Sequence, residues 1–154
     1  MVKSRRAGYG FTLIELMITV LLIGVLALMA GPYTINWMHL SDIQRAKGQL
    51  VQAHGMAKAA ALRNPQAAIG ETPVAAIHLE SGPSQLTVIG CLGGGDNCSE
   101  STLWSELLPS GVELKFDGDV TEIELNNTGG FLGDTSGLGY EISKGDQNET
   151  GKLY

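Results

Sequence analysis

One carboxylate stands where carboxylates are costly. Residues 11–31 form a run in which Glu15 is the only ionisable side chain of acid or base type. A helix needs about 20 apolar residues to cross a bilayer, so this run is long enough to span. An unpaired carboxylate near the centre of such a span costs ~2.5–3.5 kcal/mol, and less near its end. Glu15 therefore either meets a cation or reaches back to the interface. The second pair of reactive side chains is Cys91 and Cys98, separated by six residues that include Gly93, Gly94, Gly95, Asp96 and Asn97. Outside the cytoplasm an even cysteine count reads as a disulfide, with two free thiols as the alternative. A loop this short would stabilise by ~2 kcal/mol in the chain-entropy picture.

Other chemistry is not indicated. His39, His54 and His78 are far apart and show no ligand spacing, so no metal site is expected. Asp117, Asp119 and Glu122 could meet a divalent cation, but carboxylates in a turn are ordinarily just solvated. The glycine-rich stretch before Cys98 lacks the Lys-Ser/Thr of a phosphate loop. Serine, histidine and aspartate occur with no nucleophile signature. Three glycosylation-like sequons, at Asn97, Asn126 and Asn148, read as turn sequences. No enzyme and no cofactor is expected.

Charge divides the chain. Residues 1–64 hold seven Lys/Arg against two acids, while residues 65–154 hold three Lys against fourteen acids. Lys3, Arg5 and Arg6 precede the apolar run, which places the N-terminus in the cytoplasm by the positive-inside bias. The acidic remainder then faces the periplasm. Its sign repels phosphates, so nucleic-acid binding is disfavoured. A cleaved secretory signal, cut near Val25-Leu26-Ala27, is the competing reading of the N-terminus. Glu15 inside its apolar core and the helical pattern that continues past Ala27 argue against it.

The elements that position these residues follow from periodicity. Ile43, Ala46, Leu50, Ala53, Ala57 and Ala60 recur at spacings of three and four, one stripe of a helix. Asn64-Pro65 is a stop, because the residue before proline leaves the helical region. One helix over residues 11–63 is ~80 Å long at the standard rise, of which ~30 Å would cross the bilayer. Gly24, Gly31 and Pro32 weaken its ladder and permit a kink. Beyond Pro65 short β-rich runs alternate with turn residues: 74–79, Gln85–Cys91, 112–116, 120–125, 139–142 and 152–154. Asp117–Asp119 reads as a hairpin turn joining 112–116 to 120–125. Residues 102–108, with Trp104, read as a short helix or covering loop. One sheet is expected, with one face on the helix stripe and one face acidic.

Gly10-Phe11-Thr12-Leu13-Ile14-Glu15-Leu16, behind a basic leader and ahead of a spanning run, resembles the type IV prepilin signature of pilins and of the pseudopilins of type II secretion. The resemblance implies an α+β fold in which a long N-terminal helix, membrane-spanning in its first half, packs by its second half on a C-terminal antiparallel β-sheet domain. It implies a leader at 1–10, a membrane and assembly half of the helix at 11–33, an outer amphipathic half at 34–64 and a β-rich acidic region at 65–154. A prepilin peptidase would cut between Gly10 and Phe11, and Phe11 would be N-methylated. Glu15 would pair with the Phe11 amine of a neighbouring subunit in a filament. Pro32 stands where the family places a proline near the outer end of the span.

Further along, Leu108-Pro109-Ser110-Gly111-Val112, the run through Ile123-Glu124-Leu125 and the Gly129-Gly130 turn resemble the FimT/FimU and GspH branch of minor pilins and pseudopilins. The implied partners are other major and minor pilins, the prepilin peptidase, the inner-membrane assembly platform and the membrane itself. The implied place is the bacterial inner membrane, single-pass, and then the filament. The leading expectation is a minor pilin that helps start assembly, with motility, adhesion or DNA uptake downstream. A type II secretion pseudopilin and a DNA-binding pilin are the alternatives. The acidic domain weighs against the last, since Lys144 and Lys152 are the only basic residues after Lys115.

Overall fold

The computed structural model describes residues 10–65, 67–80, 84–91, 100–133 and 137–154, with the side chains of 30–34 and 100 outside the description. The chain divides into two compact units, Met1–Trp37 and Met38–Tyr154. Helix α1, Leu13–Arg63, is the one element that contributes to both. Every described residue of the first unit is exposed, from Gly10 through Met29 and again at 35–37.

The second unit is α+β. Strands β1 (Ala75–Glu80), β2 (Gln85–Cys91), β3 (Glu100–Leu107) and β5 (Glu122–Leu125) make one antiparallel sheet in the order β3-β2-β1-β5. Strands β4 (Glu113–Phe116), β6 (Leu138–Lys144) and β7 (Gln147–Leu153) make a second, in the order β4-β6-β7. The outer part of α1 buries Ile43, Ala46, Leu50, Ala53, Ala57 and Ala61 against Ile77, Leu86, Val88, Leu114, Phe116, Leu125 and Ile142. Small alanines on the stripe let the helix lie close to both sheets, and burial of this apolar surface is the main term holding the unit together. The observed stripe ends at Ala61; Ala60 is half-buried beside it.

The helix stops as its sequence requires. Asn64 adopts φ +36 after the last turn, and its side chain donates to Ala68 O and accepts from Ala68 N, both at 2.8 Å. These bonds fold the following segment back on Asn64, whose own N–H donates to Ala61 O at 3.1 Å and meets one of the carbonyls that the helix end leaves open.

Three sequence expectations are corrected. Residues 102–108 are neither helix nor covering loop: they lie almost wholly in β3, an edge strand paired with β2. The register shifts between Val88 and Ile89, whose partners are Trp104 and Thr102, so Leu103 is an extra residue in a bulge. Asp117–Asp119 does not close a hairpin. It forms a single 3-10 turn, with Gly118 at φ 80 and Asp119 at φ 54, and carries the chain from β4 in one sheet to β5 in the other. The single sheet expected is therefore two. β4 buries Leu114 and Phe116 and pairs with β6, whereas β5 buries Ile123 and Leu125 and pairs with β1.

Polar ties fasten the helix to both sheets. Lys144 Nζ donates to Asp42 Oδ2 at 2.6 Å and to Ser110 O at 2.7 Å. Glu149 accepts from Gln44 Nε2 at 2.7 Å and from Lys47 Nζ at 2.6 Å. That hydrogen bond, and then the charge of Glu149, hold the Lys47 ammonium above its ordinary pKa. Gln49, buried in the stripe, donates to Glu106 Oε1 at 2.7 Å and to Leu107 O at 3.1 Å, binding the helix to β3. Lys58 Nζ donates to the carbonyl oxygen of Tyr154.

Candidate processing and assembly site

The residues given roles at the N-terminus fall together at the start of α1. Gly10, Phe11 and Thr12 precede the first helical residue, Leu13, and all three are exposed. The Gly10–Phe11 bond thus lies in non-helical chain, the form a protease active site can take without unwinding a helix. A Cβ at Gly10 would meet nothing within 4 Å. Phe11 is 81% exposed.

Thr12 is the N-cap. Its Oγ1 accepts from Glu15 N at 3.3 Å, and its carbonyl accepts the first intrahelical bond, from Leu16 N at 3.2 Å. Thr12-Leu13-Ile14-Glu15 has the Thr-x-x-Glu spacing of a capping box. Glu15 therefore sits at the third helical position, where a carboxylate opposes the partial positive charge of the helix N-terminus. The spacing is legible in the sequence and was the missed signal: Glu15 has a role inside its own chain as well as any outside it. Cleavage after Gly10 would create a cationic amine at Phe11, one residue before the cap. Like charge then faces the helix end, and Glu15 is the nearest anion in the chain.

Pro32 lies within α1, and its side chain is outside the description. Cys91 is buried at the end of β2, its N–H bonded to Val74 O at 2.9 Å. Cys98 is outside the described residues, and no free cysteine is found among the described ones. Among the described residues no helix is long and apolar enough to cross a membrane.

The remaining polar groups do not converge. Among the described residues no group of three or more His, Cys, Asp or Glu is arranged to hold a metal ion. A cavity of about 460 Å³ opens beside the 3-10 turn, lined by Asp117, Glu122, Glu124, Phe131 and neighbouring apolar residues. His54 carries no ligand spacing in the sequence. It is buried on the helix face that meets the sheets and stacks on Phe131, with ring centroids 5.2 Å apart at 14°. Its Nε2 has no partner among the described residues. Burial, and then the charge of Lys58, push its pKa down.

Residues 5–31 match the family model described as the prokaryotic N-terminal methylation motif. No curated protein matches the chain. No solved structure matches it either. The matched motif is a type IV prepilin-like signal. It supports a pilin- or pseudopilin-like protein, with processing by a prepilin peptidase and pilins as partners in general.

Proposed function

We propose that this chain is a minor pilin: a non-catalytic structural subunit, made as a precursor and built into a type IV pilus, where it helps to start filament assembly. The observation that carries the reading is the methylation motif at residues 5–31 falling on the exposed, non-helical Gly10–Phe11 bond just before α1. A peptidase on the cytoplasmic side removes residues 1–10, and Phe11 is then N-methylated. Glu15 answers the Phe11 amine of a neighbouring subunit in the filament. Because unpaired charges are costly in an apolar surrounding, that pairing sets the register of one helix against the next. The other partners are major and minor pilins and the inner-membrane assembly platform. A Cys91–Cys98 disulfide closes the loop after β2. The β-rich unit behind the helix, with its turn at Asn126–Gly130, supports placement in the FimT/FimU–GspH branch.

The test is intact mass and N-terminal sequencing of the chain expressed with and without a prepilin peptidase. Loss of residues 1–10 and a methylated Phe11 are expected only with the peptidase. A chain that stays whole, or is cut near Ala27, overturns the reading.

A further inference from the structure

The apolar run does not end where the methylation motif ends. We propose that the membrane-held segment extends to Trp37, whose indole lies in the outer headgroup layer of the bilayer and sets the depth of the helix. This rests on the membrane-anchored reading above.

Three observations carry it. First, within the Met1–Trp37 unit, Trp37 is 76% exposed and Ile35 is 56% exposed. Residues two apart on an α-helix point roughly 200° apart, so these two apolar side chains lie on opposite sides of α1. A single flat protein surface covers one of them, whereas a lipid layer surrounds both. Second, residues 16–38 contain no Asp, Glu, Lys, Arg or His. At the standard rise this stretch is ~35 Å long, more than the ~30 Å hydrocarbon core. Leu13 to Trp37 is ~36 Å along the helix, and Phe11 and Thr12 ahead of it add ~3.3 Å each where extended, which matches a bilayer of about 40–45 Å with its headgroups. With Phe11 at the inner surface, Trp37 falls in the outer headgroup layer. Third, the indole ring is a broad apolar plate with one N–H donor, and such a group is most stable where hydrocarbon meets water. Polar side chains return at His39, two residues on, and at Ser41, and Asp42, five residues on, is paired with Lys144.

The chain has two tryptophans, and the other, Trp104, is half-buried against the core of the sheet unit. The full chain carrying W104F is reconstituted in phosphatidylcholine–phosphatidylglycerol vesicles, with W104Y as a second background should the first misfold. Emission is then read against iodide in the buffer and against lipids brominated at shallow or deep acyl positions. The expected result is shielding from iodide, with shallow bromines quenching Trp37 more than deep ones. In the converse W37F chain, Trp104 should ignore the brominated lipids. Free access of iodide to Trp37, or strongest quenching by the deepest bromines, overturns the placement and leaves membrane anchoring intact. A chain that fails to float with the vesicles overturns the anchored reading itself, and the placement with it.

Discussion

Glu15 has two electrostatic partners to serve, and they can be separated by substitution. In its own chain it is the third helical residue, one hydrogen bond from the Thr12 cap and facing the positive end of α1. In the proposed filament it answers a neighbour's amine. Glutamine at this position keeps the capping shape and loses the charge. E15Q should therefore be processed normally and fail to enter filaments, read as its loss from the sheared pilus fraction. Entry at the wild-type level would remove the ion-pair role. T12A should do the reverse: it weakens the first turn by about 0.5–2 kcal/mol, seen as faster amide exchange near residue 15, with entry retained. His54 supplies a second residue-scale expectation. Burial disfavours its charged form, so the unfolded chain binds the proton more tightly than the folded one. The stability tied to the neutral ring is full above the unfolded value near 6.5 and is lost as pH falls toward the lower folded value. Thermal unfolding between pH 7.5 and 5 should fall for the wild type and fall less for H54F, which keeps a ring against Phe131. Equal slopes in the two proteins would assign the pH dependence to other groups.

At the scale of elements, the helix was the most legible part. Its stripe, its stop at Asn64-Pro65 and its cap spacing all lie in local sequence, where 3.6-residue periodicity speaks directly. Strand β2 was legible at both ends because a β-rich run lies there between turn residues. Strand β3 was not, because the bulge at Leu103 interrupts its alternation and serines and glutamates dilute it. The partners of β4 and β5 were hidden for a different reason. Asp117-Gly118-Asp119 has hairpin chemistry locally, but which sheet each strand joins is decided by where Phe116 and Ile123 are buried, and that is a tertiary matter. The N-terminal motif at residues 5–31 was readable because its signal is contiguous; the buried His54 and Gln49 were not, because nothing local marks a polar residue inside an apolar face. Two substitutions on α1 test the packing. Leu50 is fully buried, so L50A should cost about 2–5 kcal/mol and lower the melting temperature of the full chain in detergent. Gly55 faces open space, with nothing within 4 Å of an added Cβ. G55A should then stabilise the helix by roughly 0.5–1 kcal/mol. A fall in melting temperature would mean that the helix needs flexibility there.

The whole molecule is polarised along its sequence, basic before the apolar run and acidic in the sheet unit, and that polarity predicts how it sits across a membrane. Lys3, Arg5 and Arg6 are the only charges in residues 1–10, and all are positive. Positive charge next to a span is retained on the cytoplasmic side, while acidic residues contribute little to orientation. On the proposed reading, residues 1–10 are what would keep the N-terminus inside and so present Gly10–Phe11 to a peptidase on that side. Replacing all three basic residues by glutamate leaves the apolar run, the cap and the cleavage bond untouched. The altered chain should lose its uniform orientation, so that protease added to spheroplasts no longer digests the sheet unit in every molecule. Cleavage after Gly10 should decline in the same proportion, because a misoriented bond is out of the peptidase's reach. A proportional fall in both readings ties processing to orientation. A fall in cleavage with the sheet unit still fully accessible would instead show that the peptidase reads the basic side chains directly, and that the leader is recognised as a sequence and not as a charge.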